Sequence, residues 1–471
     1  MLAGESLLEV AMRRRTFLSL SLSAAVMRPS LAEPAAATIT VSNTALAVMP
    51  QDFNGLSYEN TQLYNPAFFS PKNTALVAAF RGLSKAGVLR LGGSLSNSCR
   101  WKSEAGTFET AAQTAIIEEG RVKKWEWKLC DPTVKRDGAI TPAALSALRG
   151  FCDATGWRLI YGLDCTGGGP ERARDEAAHV VAALGDKLLA FQVGNEADFL
   201  PQYKRSPTDK VGAFDIYYRD YLAFVAAVHQ AAPGAPFAGP DTAVAMDWVD
   251  EFGKREGKKA VFLSSHLYDM GPGNDPSQNA ELLLSGKSRL PNQIAEAAAA
   301  MKNSGVPFRM TEVNSCYRGG RPGVSDAYAS ALWCADMMLK RAAVGWAGVN
   351  LHGGGDGIYT PIESAADGST KLRPLYYGMQ FAELFAGAEM MGCAIDTTAN
   401  VTAYAARKGT RKLLAIINKS AEPVAITQNW LKAKNAKRLA APALDAKTGI
   451  TLKPGPAGGT LPAYSATLLI G

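Results

Sequence analysis

Two segments of the chain run through apolar residues and end in a glutamate: Phe191-Gln-Val-Gly-Asn195-Glu196 and Phe308-Arg-Met-Thr-Glu312. Runs of this kind read as buried strands, and a carboxylate at the C-terminal tip of such a strand is held where barrel active sites open. Two such groups can divide the cleavage of a glycosidic bond between them. One protonates the leaving oxygen while the other attacks or polarises the anomeric carbon. Glu196 is the candidate acid/base and Glu312 the candidate nucleophile, with a covalent glycosyl-enzyme between the two half-reactions. Asn195 is suited to hydrogen-bond a sugar 2-hydroxyl. Either glutamate alone would read as a capping or ion-paired residue; the pair, with the asparagine, carries the chemistry.

Those side chains need a scaffold that brings distant strand ends together. Eight candidate strands follow one another: Phe53–Tyr58, Val88–Leu91, Arg158–Leu163, Leu188–Val193, Phe237–Gly239, Val261–Leu267, Pro307–Glu312 and Ala347–Leu351. Between several of them lie stretches with helical spacing, namely Ala173–Leu184, Tyr217–Ala231, Gln293–Ser304 and Asp326–Ala343. The alternation predicts an α/β fold, a (β/α)8 TIM barrel over residues 51–385, with Glu196 after the fourth strand and Glu312 on the seventh. A doubly wound open sheet is the alternative. From about Ala394 the pattern changes to short strands, Val401–Ala406, Leu413–Asn418, Val424–Gln428 and Ala466–Ile470, separated by turn residues. This predicts a C-terminal antiparallel β-sandwich domain over 386–471, which the alternating strand in residues 35–50 would join.

The remaining composition narrows the class. A chain of 471 residues with 47% hydrophobic and 20% charged residues is an ordinary globular composition. The net charge of +7 is too mild to imply nucleic acid and is compatible with an acidic substrate. Seven cysteines, never spaced Cys-x-x-Cys, and four histidines without His-Glu-x-x-His point to neither a metal nor a cofactor. Met12-Arg-Arg-Arg15-Thr-Phe17-Leu18, a short apolar run and Ser30-Leu31-Ala32 look like a twin-arginine export signal in residues 1–34. A periplasmic or secreted monomer without a membrane span is expected.

The chain resembles glycoside hydrolase family 79, the heparanase and β-glucuronidase family, from about Phe53 to Tyr377. Leu89-Arg-Leu-Gly-Gly93-Ser94 is similar to the family's Leu-Arg-Phe-Gly-Gly-Thr, which implies that Ser94 contacts the sugar near the scissile bond. Glu59 stands where family members carry an aspartate that binds ring hydroxyls, a departure longer by one methylene. His266-Leu-Tyr268 resembles the family's His-x-Tyr, so Tyr268 would hydrogen-bond the nucleophile. Tyr317-Arg318-Gly319-Gly320 resembles Tyr-Gly-Gly-Gly, which implies that Tyr317 and the Gly319 N–H grip a glucuronate carboxylate. Tyr359, after the glycine-rich loop Gly353–Gly357, is similar to the tyrosine that completes that pocket. Neutral donors there hold a uronate without a full positive charge beside the developing oxocarbenium ion.

The resemblance implies a retaining hydrolase of β-D-glucuronidic linkages. Bases in the loops, namely Arg121, Lys123 and Lys124 beside Trp125 and Trp127, then Arg172, Arg174, Lys204, Arg205, Arg318 and Arg321, favour endo-cleavage of heparan sulfate. The alternatives are an exo-β-glucuronidase, another clan glycosidase such as an arabinofuranosidase or xylosidase, and a non-catalytic glycan-binding protein.

Overall fold

A computed structural model describes residues 35–108, 138–203, 210–353, 357–364 and 368–471. The export-signal stretch, the bases at 121–124, Trp125, Trp127, Lys204, Arg205 and Cys130 lie outside them. Eight parallel strands close into a barrel. In order they are Asn54–Glu59, Val88–Gly92, Arg158–Leu163, Leu188–Val193, Phe237–Thr242, Ala260–Pro272, Phe308–Tyr317 and Gly348–His352. Each coincides with one of the eight apolar runs, because a strand covered on both faces shows little alternation. Helices on the outside return the chain to the next strand. One, Pro142–Thr155, starts on Thr141, whose side chain accepts from the Ala144 N–H, and stops at the left-handed Gly156.

Alternation decides what fills the bore. Val88, Ile160, Ala190, Ala238 and Phe262 form a small apolar layer on strands two to six. Two residues further along their strands, Arg90, Gln192 and Ser264 form a buried polar layer. The outward-facing residues, such as Leu89, Leu91, Tyr161, Phe191 and Leu263, join the large core under the helices. At the barrel floor a second buried arginine, Arg309, donates to Asn350 Oδ1 at 2.8 Å and to the carbonyls of Asp52 and Ala347 at 3.1 Å.

Two register shifts break the regular ladder near the mouth. Pro240 pairs with Ser264 and Thr242 with Ser265, so Asp241 is an extra residue on strand five. Met310 pairs with Ser265 and Glu312 with His266, which makes Thr311 extra on strand seven. Such irregularities re-aim side chains. Here they bring Glu312 level with His266.

The C-terminal strands form a nine-stranded sheet, and the strand Ala35–Val48 lies inside it. Residues from strands far apart in that sheet, among them Ile39, Leu414, Val424, Ala436 and Leu461, share one core cluster, so the sheet curls on itself. It is antiparallel except where Ala35–Ile39 pairs in parallel with Val424–Gln428. Four further strands, Glu389–Asp396, Asn435–Ala440, Thr451–Pro454 and Thr460–Leu461, go beyond the expected set. Asn435–Ala440, Thr451–Pro454 and Thr460–Leu461 are short and largely half-exposed, with too few apolar residues to stand out from turns. The sheet is tied to the helix Tyr328–Ala343 through Asp336, which accepts from Thr402, Tyr404 and Lys419, each at 2.6 Å. No helix among the described residues is long and apolar enough to cross a membrane.

Candidate active site

Glu312 is buried on the seventh strand with both oxygens occupied. Tyr268 donates its hydroxyl to Oε1 at 2.6 Å, and Arg90 donates to Oε2 at 3.0 Å. His352 and His266 bring ring nitrogens to 3.6 and 3.9 Å of Oε2. Burial opposes the Glu312 charge, but His352, His266 and Arg90 with the Tyr268 bond outweigh it and bring its pKa down to about 2. Burial pushes His352 itself below the ordinary imidazole range, so near neutral pH His266 and Arg90 supply that stabilisation.

Glu196 lies beyond the end of strand four, across Gly194 and Asn195. Its φ of 51° and ψ of 47° put it in the left-handed region. Such a conformation costs about 1–3 kcal/mol and persists only where its surroundings over-determine it. Here the Glu196 N–H donates to the Asp241 carbonyl at 2.9 Å, and the Phe199 N–H donates back to the Glu196 carbonyl at 2.8 Å. The Asp198 carboxylate then accepts the N–H groups of Ala243, Val244 and Ala245. Asp241 and Arg318 also have positive φ, so three of the four such non-glycine residues described lie at this end of the barrel.

One oxygen of Glu196, one of Glu312 and a ring nitrogen of His266 all lie within 4.8 Å of one another. That carboxylate spacing fits the about 5–5.5 Å of direct attack better than the wider separation that a single displacement by water calls for. A metal ion on the same three groups would have to displace a His266 proton that is firmly held. Burial disfavours its charge, yet the nearby charges of Asp241 and Glu312, with the hydrogen bond to Glu196, lift its pKa to about 10. The trio therefore reads as acid–base chemistry.

The other expected residues gather around this pair. Arg90 donates to Asn195 Oδ1 at 2.6 Å, and Asn97 clamps the Asn195 backbone from both sides. Asn195 Nδ2 is buried without a protein partner, a donor left over for a ligand hydroxyl. Glu59 ends strand one; it accepts the Leu95 N–H at 2.8 Å, and its Oε1 lies 3.8 Å from His352 Nε2. Gly93, at φ 78°, makes room for it, since a Cβ there would stand 2.2 Å from Glu59 Oε2. Ser94 is exposed at the start of the turn after strand two. The Tyr268 ring stands 6.4 Å from that of Tyr317 and 6.2 Å from that of Tyr359. The Gly319 carbonyl accepts the Ile358 N–H at 2.8 Å, which joins the loop after strand seven to the one carrying Tyr359.

Among the bases expected in the loops, Arg172 is a correction. It is buried, bonded to Asp164 at 2.9 Å and to Glu176 at 3.2 Å, and so holds a helix to the barrel. Its i,i+4 spacing to Glu176 was the available signal. Arg174 is exposed beside Glu171. Arg318 does sit at the site, 5.7 Å from the Tyr317 ring centroid, and Arg289, unmarked by any motif, lies 5.5 Å from the same ring. Arg90, Asn97, Asp241 and His352 are further site residues that the motifs did not single out by role.

Residues 50–338 match the model described as glycosyl hydrolase family 79, N-terminal domain. Among curated proteins the chain is similar to a beta-glucuronidase of Neurospora crassa, 25% identical over 220 residues, which are 41% of this chain and 39% of that protein. It is also similar to a beta-glucuronidase of Aspergillus niger, 25% identical over 268 residues, 50% of this chain and 48% of that protein. The chain thus spans less than half the length of these relatives. Among solved structures, a 4-O-alpha-L-rhamnosyl-beta-D-glucuronidase from Fusarium oxysporum aligns with a TM-score of 0.66 at 17% identity, over 92% of this chain and 99% of that one. A family 51 arabinofuranosidase from Xanthomonas axonopodis aligns with a TM-score of 0.65 at 15% identity, over 93% and 99%. At that identity the two structures speak for the fold.

Proposed function

The chain belongs to glycosyl hydrolase family 79, and from that premise we propose that it hydrolyses β-D-glucuronidic linkages with retention of configuration. The observation that carries the reading is the pair of glutamates with oxygens within 4.8 Å, one of them held ionised. In the first step Glu312 attacks the anomeric carbon as Glu196 gives its proton to the leaving oxygen. In the second, Glu196 takes a proton from water, and that water displaces Glu312. Asn195 bonds the 2-hydroxyl, while Glu59 and Ser94 contact the sugar. Tyr317, the Gly319 N–H and Tyr359 hold the glucuronate carboxylate as neutral donors. A cation in that place would bind the substrate but repel the transition state. The beta-glucuronidases of Neurospora crassa and Aspergillus niger support this substrate class.

The finer proposal is endo-cleavage of heparan sulfate. It is supported by the two guanidinium groups of Arg289 and Arg318 on either loop beside Tyr317, which suit sulfate or uronate groups of a longer chain. Arg172 no longer contributes, since it is buried and paired. Product analysis by size tests the choice. Heparan sulfate shortened rapidly to large fragments is the expected outcome. Release of free glucuronic acid from chain ends or from nitrophenyl β-glucuronide alone would make the protein an exo-β-glucuronidase. Inactivity on both, with turnover of an arabinofuranoside or xyloside, would overturn the glucuronide reading.

A further inference from the structure

Asp241 is fully buried at the extra position of strand five; its backbone carbonyl accepts the Glu196 N–H at 2.9 Å, but its carboxylate bonds to Arg90, Gln192 and Thr311 and not to either glutamate of the catalytic pair. Its own contacts explain why a carboxylate is tolerated there. Oδ2 accepts from Arg90 at 2.6 Å; Oδ1 accepts from Gln192 at 2.7 Å and from Thr311 at 2.5 Å. Thr311 is the extra residue of strand seven, so the two irregular positions of the barrel meet through this bond. The fourth neighbour is His266, whose Nε2 lies 3.2 Å from Oδ1. That nitrogen is off the axis of a good hydrogen bond, so the attraction is mainly one of charge. The opposite ring nitrogen, Nδ1, stands 3.1 Å from Glu196 Oε1.

We propose that Asp241 is a positioning residue that acts through His266 on the acid/base Glu196. The proposal rests on the glucuronidase reading above. Asp241 keeps the buried imidazole doubly protonated and turned so that its Nδ1–H faces Glu196. When Glu196 surrenders its proton to the leaving oxygen, the new carboxylate meets a donor already charged and fixed in place, with no reorganisation at the moment of reaction. The proton goes to the leaving-group oxygen, the glycosidic bond breaks, and the Glu312–carbon bond forms. His266 keeps both of its protons throughout.

Charge balance supports this arrangement. Two cations, Arg90 and His266, face the three carboxyl groups of Glu196, Asp241 and Glu312. Glu312 and Asp241 are both held well ionised. For Asp241, burial is outweighed by Arg90 and His266, and its pKa falls well below the ordinary carboxylate range. The other titratable groups facing the cluster are Tyr268 on strand six, His352 on strand eight, Glu59 on strand one, Asp198 beyond Glu196, and Tyr217 from the helix Lys210–Ala231. Arg90 does not depend on Asp241 alone, because Ser57, Gln192, Asn195 and Glu312 also accept from it. His266 has no comparable second anchor for its charge on the Nε2 side among the described residues.

The test is the Asp241→Asn variant of the full chain, with two readouts that mere structural support would not move. The first is leaving-group dependence. Phenyl β-glucuronide needs a proton on its departing oxygen, whereas 2,4-dinitrophenyl β-glucuronide departs without one. The variant should lose roughly 100-fold or more in kcat on the phenyl substrate and far less on the dinitrophenyl one. The second is the titration of His266 by NMR in histidine-labelled protein, assigned with His266→Gln; the chain has only four histidines. In the parent His266 should stay charged beyond pH 9, and in Asp241→Asn it should lose its proton several pH units lower. Equal losses on both substrates, or an unmoved His266, would overturn the proposal. If Asp241→Asn does not fold, Thr311→Val removes one bond to the same carboxylate, and the same two readouts should move in the same direction. A parent protein inert on both glucuronides would defeat the glucuronidase reading instead, while an active parent with an unaltered variant defeats only the role of Asp241.

Discussion

The barrel buries an arginine at each end, and the two are held in opposite ways. Arg90, at the mouth, is 1% exposed and faces the carboxylates of Glu312 and Asp241; burial disfavours its charge, but those two carboxylates outweigh it and raise its pKa. Arg309, at the floor, is 2% exposed and satisfied by Asn350 and backbone carbonyls; burial dominates and lowers its pKa to about 10. Both fill the bore with a hydrogen-bonded polar plug. The mouth sets two carboxylates directly on its guanidinium and adds left-handed backbone at Glu196 and Asp241 and an amide donor without a partner on Asn195, whereas at the floor the Asp52 carboxylate is paired with Arg158 instead. A group with all its needs met stabilises. A cluster with strain, charge and an unused donor is built for something that binds there.

The sharpest way to break the comparison is at Glu312. Glu312→Gln should lower kcat by roughly 10⁴-fold or more, and because it removes the charge that Arg90 and His266 hold, the thermal midpoint at neutral pH should fall as well. Next comes Arg90→Met. It removes a donor aimed at the nucleophile and should cost about 10²–10³ in kcat. It also leaves Asp241 and Glu312 short of a cation, a stability loss of about 3–5 kcal/mol in denaturant titrations.

A pH series separates the ends further. Glu312 has its pKa depressed on folding, so its contribution to stability is fully present above the ordinary glutamate range and is lost as pH falls towards about 2. Stability should therefore fall over that acid window in the parent, and Glu312→Gln should flatten part of the slope. The smallest effect belongs to the floor. Arg309→Met should cost about 1–3 kcal/mol through the carbonyls it strands, with kcat and KM unchanged. A large kcat loss there would erase the distinction between the two arginines.

Much of this arrangement was legible before any coordinates. The eight barrel strands announced themselves because parallel strands covered on both faces are apolar throughout. Glu196, Asn195, Glu312 and Tyr268 stand where such runs end, and the structure brings them together. Arg90 and Asp241 were not marked for opposite reasons. Arg90 sits inside an apolar run, where one charge looks like an exposed position, and Asp241 follows Gly239-Pro240, which reads as a turn. Neither register shift leaves a trace in residue types, since the extra residues, Asp241 and Thr311, are ordinary. Arg172 misled because Glu171, Arg172, Arg174 and Asp175 together look like a solvated face. Helical geometry turns Arg172 and Glu176 inward and leaves Arg174 outside.

The central claim is that two glutamates, close enough for direct attack, cleave a glucuronide by double displacement. Proton NMR of the first sugar released from an aryl β-glucuronide tests it directly, before the anomers equilibrate. The account predicts β-glucuronic acid as the initial product, with the α anomer appearing only by later mutarotation. Initial release of the α anomer would mean a single displacement by water, and the assignment of Glu312 as nucleophile would be wrong.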